Sequence, residues 1–99
     1  MTGLVQKTIA DAGGTVSTTA LALTDAPFSF TEAQLYEADE AHISSSGNLR
    51  YRTSGSDPTG SVGHRSNDFK VYGQDIVDLR VIRAGGADRT VFITLRIYR

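Results

Sequence analysis

The sequence predicts an all-β fold: a compact antiparallel β-sandwich, jelly-roll-like or Ig-like, with at most one short helical turn. Three observations lead there. Short segments of β-branched and alternating apolar residues recur along the chain. Clusters of Gly, Pro, Asp and Asn separate them at near-regular spacing. Only one stretch carries helix-start spacing. A chain of 99 residues buries roughly 60–70% of its unfolded surface, enough for one modest core. The boundaries read as residues 1–14, an N-terminal arm or edge strand, and 15–99, a single β-sandwich domain.

Each element has its own signal. Met1 to Ala10 carries Leu4, Val5 and Ile9 in no firm period, as a terminal arm or weak edge strand would. Asp11-Ala12-Gly13-Gly14 reads as a turn. Thr15 to Leu23 reads as a strand, which Thr24-Asp25-Ala26-Pro27 breaks. Phe28-Ser29-Phe30 starts another short strand. In Thr31 to Ala41, Thr31 and Gln34 stand at capping-box spacing ahead of good helix formers, which predicts a single helical turn. Ala41 to Ser45 returns to strand character. Ser46-Gly47-Asn48 reads as a tight hairpin connection, because Gly and Asn tolerate the positive φ such turns need.

Leu49 to Thr53 is then the return strand, with Leu49, Tyr51 and Thr53 on one face and Arg50 and Arg52 on the other. Ser54 to Asn67 reads as a long polar loop. Asp68 to Tyr72 and Ile76 to Ile82 read as strands, the second with Val77, Leu79 and Val81 alternating with Asp78 and Arg80. Gly85-Gly86-Ala87-Asp88 makes a turn. Arg89 to Arg99 reads as the longest strand: Val91, Ile93, Leu95 and Ile97 face the core, and Phe92, Thr94, Arg96 and Tyr98 face away. Aromatic rings on an outward face point to a second contact.

Composition excludes several classes. Cysteine is absent, which removes disulfide scaffolds, Cys-zinc sites and thiol chemistry. No basic-then-apolar leader pattern opens the sequence, and its longest apolar run, Ala20 to Leu23, is far short of the about 20 residues that span a bilayer. The reading is a soluble, unanchored chain with no membrane partner. The net charge of −1 hides an asymmetry: one cation and six anions precede Asn48, while nine cations and five anions follow from there. Eight of those nine cations are Arg, the cation that protein interfaces favour over Lys.

Chemical motifs are weak. Glu37, Asp39, Glu40 and His42 are the densest set of possible metal ligands, but strand alternation splits them between two faces. Ser44 to Ser46 and His64 lack the Gly-x-Ser-x-Gly elbow of a hydrolase. Gly55, Gly60 and Gly63 are not followed by Lys-Ser or Lys-Thr and a helix, as a phosphate loop would be. Arg50-Tyr51-Arg52 interleaves an aromatic with cations, yet alternation puts Tyr51 opposite the two Arg and the chain is slightly acidic, against a nucleic-acid partner. The reading is therefore a non-enzyme with no cofactor and no bound metal.

The run Asn48-Leu49-Arg50-Tyr51-Arg52-Thr53-Ser54-Gly55-Ser56-Asp57-Pro58-Thr59, then Ser61-Val62-Gly63-His64, resembles a group of small structural proteins of tailed bacteriophages. In that group an Arg-Tyr-Arg-like strand leads to an Asp-Gly-x-x-Pro-Thr-like turn and a Val-Gly-His step. Ile93 to Arg99 resembles the group's aliphatic ending, and Ala41-His42-Ile43 its preceding strand; Ser54 departs from the Asp often found there. The resemblance covers residues 38–99. It implies a virion component made in the host cytoplasm and carried on the capsid surface, a decoration (cement) protein whose partners are the major capsid protein and itself, as a homotrimer. A tail- or fibre-associated protein and a carbohydrate-binding module, with Tyr36, Tyr72 and Tyr98 as its platform, are the alternatives. The interface residues expected under this reading are Arg50, Arg52, His64, Phe92, Arg96 and Tyr98.

Overall fold

The structure, a computed structural model, describes residues 5–99. Six strands and two short helices follow in the order β1 (Gln6–Val16), β2 (Leu21–Ala22), α1 (Glu32–Glu37), β3 (Glu40–Arg52), β4 (His64–Tyr72), α2 (Gln74–Asp78), β5 (Arg80–Arg83) and β6 (Arg89–Tyr98). The domain is β-rich with minor helical content, built on a curled antiparallel sheet that forms a half-barrel. All six strands belong to one hydrogen-bonded sheet, ordered β1-β6-β3-β5-β2 with β4 on the free side of β3. The expected second stacked sheet is not formed: the layer over the core consists of loop and helix.

Register explains the curl. β4 pairs along both halves of β3. The other edge of β3 is shared end to end: β6 pairs with residues 40–45 and β5 with residues 49–52. β5 and β6 therefore run in the same direction, and residues 84–88 are an excursion between them rather than a chain reversal. β1 and β2 repeat the arrangement one position further out, pairing with β6 and β5 respectively. The sheet is in effect four ribbons, two of which break at the same level.

At that level sits a dense set of bonds. Arg89 Nε donates to the Asn48 carbonyl at 3.0 Å, Arg89 Nη2 donates to the Ala84 carbonyl, and the Ala84 amide reaches the same Asn48 oxygen at 3.0 Å. Thr90 N donates to Ser46 Oγ at 3.0 Å. Asp88 Oδ1 accepts from Ser17 Oγ at 2.8 Å and from Arg83 Nη1 at 2.6 Å. Ser46-Gly47-Asn48 is consequently no hairpin. β3 runs through it, and Gly47 is needed because a Cβ would lie 2.7 Å from the Arg89 guanidinium.

The same cause corrects the turn expected at 11–14. Gly13 and Gly14 lie within β1. A Cβ on Gly14 would lie 2.1 Å from the Pro27 ring, and one on Gly13 3.1 Å from Phe92. These glycines admit neighbouring rings rather than bend the chain. Residues 6–14 of the expected arm thus join the edge strand β1, while Met1–Leu4 lie outside the described residues.

The helices also depart from expectation, being two rather than at most one. α1 forms where the capping box predicts: Gln34 N donates to Thr31 Oγ1 at 3.1 Å and Thr31 N to Gln34 Oε1 at 2.9 Å. α2 occupies the first part of the strand expected at 76–82. Gly73 turns the chain out of β4 at φ 57°, and Ile76 and Leu79, three apart, are both fully buried. Phe28-Ser29-Phe30 forms no strand; both rings enter the core from a loop. β4 begins at His64, so the polar loop is shorter than expected, and β3 rather than β6 is the longest strand.

The core lies on the inner face. Ala41, Ile43 and Leu49 of β3, Phe69 and Val71 of β4 and Val91, Ile93 and Leu95 of β6 pack against Leu23, Phe28, Phe30, Leu35, Ile76 and Leu79. Each of these side chains larger than Ala41 contributes about 1.5–3 kcal/mol on burial. Two changes test this architecture by chemical denaturation. Gly14→Ala is expected to cost about 1–3 kcal/mol through collision with the rigid Pro27 ring, while Gly60→Ala, in open space, stays within about 0.5 kcal/mol of the parent. Arg89→Ala, which strips the bonds at the ribbon break, is expected to cost about 2–3 kcal/mol.

Candidate functional site

Strand alternation sends the polar members of β1, β6, β3 and β4 to the outer face of the sheet, where register arranges them in rows. One row reads Tyr72, Glu40, Arg96, Thr8; the next Lys70, His42, Thr94, Asp11; the third Asp68, Ser44, Phe92, Gly13. Tyr98 follows Arg96 along β6, opposite Gln6. Cross-strand neighbours of this kind lie within about 5 Å of one another, so the face forms a continuous surface of carboxylates, cations and rings.

Glu40 organises it. Although it belongs to the outer face, its side chain is only 2% exposed. Its Oε2 accepts from Arg96 Nη1 at 3.1 Å and its Oε1 from the Tyr98 hydroxyl at 2.7 Å, with Lys70 Nζ 4.0 Å away. Burial pushes the Glu40 carboxyl up, but the hydrogen bonds from Tyr98 and Arg96, aided by the charges of Lys70 and Arg96, outweigh it and hold the group below the usual carboxylate range. The hydrogen bond to Glu40 in turn raises the Tyr98 phenol above its ordinary value, with burial adding to the effect.

The network continues sideways. Arg96 Nη1 lies 3.4 Å from His42 Nδ1, and His42 Nε2 lies 2.6 Å from Asp68 Oδ1. His42 thus bridges Arg96 and Asp68. Asp39 Oδ2 accepts from the Tyr98 amide at 2.8 Å. Of the possible ligands weighed above, Glu37 ends α1 and Asp39 caps β6, while Glu40 and His42 share the outer face; among the described residues no three acidic or imidazole groups gather to hold a metal. The same face carries two exposed rings, Tyr72 at 56% beside Glu40 and Phe92 at 50% in the Ser44 row. The Phe92 ring lies against Gly13.

The six interface residues expected from sequence separate into two groups. Phe92, Arg96 and Tyr98 stand together on the outer face of β6. Arg50, Arg52 and His64 lie at the other end of β3, with Arg52 about ten residues from His42, on the order of 30 Å along a strand. There the 53–63 loop folds back on the sheet: Arg50 Nη1 donates to the Gly63 carbonyl at 3.1 Å, and Asp57 meets Arg80 at 3.4 Å. Tyr51, opposite His64 across the strands, stacks on Phe69 with ring centroids 3.8 Å apart and packs against the core. A cleft of about 390 Å³ opens beside this loop, lined by Arg52, Thr53, Ser54, Gly63 and His64.

Sequence reasoning did not single out Glu40 and Lys70 as part of a site with Arg96 and Tyr98, and it grouped Tyr72 with Tyr98 only as a carbohydrate platform. Alternation marks each as outward, but only register shows that they adjoin. No helix among the described residues is long and apolar enough to cross a membrane. Comparison with protein-family models, with curated proteins and with solved structures gives no match for this chain.

Removing the organising carboxylate has a defined consequence. Glu40→Ala leaves Arg96 without its carboxylate partner and is expected to cost about 2–3 kcal/mol, below the about 3–5 kcal/mol of a fully buried broken pair because Arg96 is partly exposed. Acid provides a second test. Since the folded carboxyl titrates below the unfolded one, its contribution is complete above the unfolded value of about 4.3 and is lost as pH falls through the folded value. Urea unfolding at about pH 7 and about pH 3 is expected to show a smaller acid loss in Glu40→Ala than in the parent.

Proposed function

We propose that this chain is a non-enzymatic structural protein of a tailed-phage virion: a decoration (cement) protein that binds the outer capsid surface through the outer face of its sheet and stabilises the shell. The observation that carries the reading is one sheet face that bears two exposed rings, Tyr72 and Phe92, together with the polar cluster held by Glu40, Arg96 and Tyr98. Rings and Arg on a rigid, concentrated surface are the composition of protein interfaces. A surface already ordered before contact loses little side-chain freedom on binding. The resemblance of residues 48–64 to small phage structural proteins supplies the kind of partner: a major capsid protein, and further copies of the chain arranged as a trimer.

The sandwich-like closure expected from sequence belongs to the same proposal. In a trimer, the closure would involve the exposed edges of the curled sheet. A carbohydrate-binding role is the second reading, favoured by the exposed rings of Tyr36 and Tyr72, at 65% and 56%. The Tyr98 ring suits that role less, because its hydroxyl is committed to Glu40.

Cosedimentation of the purified chain with undecorated shells of its own phage tests the proposal, with light scattering for the oligomeric state. Saturable binding is expected, weakened about tenfold or more by Phe92→Ser combined with Tyr72→Ser, at unchanged folding. A monomer that does not bind the shell would falsify the proposal. Binding to tail structures alone would move the chain to the tail, and saturable glycan binding that depends on Tyr72 would support the second reading.

A further inference from the structure

The far end of β3 carries an excess of positive charge that the fold does not neutralise. Register sets Arg50 directly opposite Arg65, and Arg52 directly opposite Arg80. Like charges at such positions destabilise a sheet. Among the described residues, Arg80 alone of these four has a carboxylate within ion-pair distance, Asp57 at 3.4 Å. Arg50 spends one nitrogen on the Gly63 carbonyl, and the Nε atoms of Arg50 and Arg80 are buried without any hydrogen-bond partner.

The cleft of about 390 Å³ opens at this place. It is lined by Arg52, Thr53, Ser54, Gly63 and His64, with the His64 ring on the Tyr51 side, its centroid 5.3 Å from that ring. Arg52 makes no side-chain hydrogen bond or ion pair with any described residue, so its fork of donors remains available. Gly63 shapes the cleft wall: at φ 126°, with a Cβ position only 2.9 Å from the Tyr51 carbonyl, it lets the loop close tightly against the strand end. No other residue type enters that position without strain.

We infer that the cleft lined by Arg52, His64, Thr53 and Ser54 is a binding site for an oxyanion, a carboxylate or a phosphate. A planar guanidinium binds either group through two parallel hydrogen bonds, and the adjacent Thr53 and Ser54 supply hydroxyl donors. The bound anion offsets the repulsion between the facing arginines. The site is separate from the ring-bearing face proposed to meet the shell, and neither depends on the other.

The test is an NMR titration of the isotope-labelled full chain at constant ionic strength, with inorganic phosphate in one series and a capped tri-aspartate peptide in the other. Saturable shifts are expected at the amides of residues 52–54, 63 and 64 and at the His64 ring. Arg52→Gln is expected to weaken binding about tenfold or more, and Phe92→Ser to leave it unchanged. Saturation by phosphate alone identifies a free or esterified phosphate as the ligand, and saturation by the peptide identifies an acidic protein segment. The inference is overturned if neither probe saturates, or if a folded Arg52→Gln binds like the parent. Should that variant not fold, His64→Gln is read by the same criterion.

Discussion

The fold depends on one junction, where β3 changes partner. Along residues 40–45 it pairs with β6 and along residues 49–52 with β5. Between them three residues of β3 face an excursion of the opposite chain, and regular pairing is impossible. Arg89 closes the gap. Its guanidinium lies over Gly47 and bonds the carbonyls of Asn48 and Ala84. Asp88 joins the next ribbon through Ser17 and Arg83. Backbone carbonyls left open inside a sheet would be costly, and a long side chain with several donors is the means of satisfying them without interrupting the strand. Because two ribbons break at the same level, the sheet curls there, and the curl creates the concave face that Phe28, Phe30, Leu35, Ile76 and Leu79 fill.

Curling leaves two ends of different character on the outer surface. At the end where β3 lies between β6 and β4, a buried carboxylate gathers Arg96, Tyr98 and Lys70 around itself, and His42 links them to Asp68. Charge there is matched, and what remains for a partner is ring surface. At the end where β3 lies between β5 and β4, four arginines meet one paired aspartate, and what remains is unneutralised charge. One strand thus carries an apolar-aromatic contact surface and a cationic cleft. The charge asymmetry of the sequence is resolved in this way: the acidic first half sends Glu40 among the cations of the second half at one end and sends no carboxylate to them at the other.

How far the sequence could be read depended on whether a signal was local. The capping box at Thr31 and Gln34 was legible because both partners lie within one turn. The alternation in β6 was legible because each residue's face follows from its neighbours, and Val91, Ile93, Leu95 and Ile97 are indeed buried. Glycine misled at three places. Gly13, Gly14 and Gly47 all look like turn residues, yet each is small because a distant side chain, Phe92, Pro27 or Arg89, occupies the space a Cβ would need. The stretch Ile76 to Ile82 misled for a different reason: its apolar residues fit a strand period as well as a helical one, and the positive φ of Gly73 together with burial of Ile76 under the core decided for a helix.

By itself, the sequence determined a β-rich domain, which side of β6 faces the core, the start of α1, and the list of outward residues from which any contact surface must be drawn. These follow from periods of two and from capping chemistry, which act over a few residues. Only the tertiary structure decided that the strands form one curled sheet, that Glu40 belongs with Arg96 and Tyr98, and that Arg50, Arg52 and His64 lie at the opposite end of the sheet from Arg96 and Tyr98. Each of those outcomes is a matter of register between segments distant in the chain, as far apart as Gln6 and Tyr98. A one-residue slip would exchange the faces of a strand without altering any local preference, so the pairing, and with it the site, is chosen by the packing of the whole.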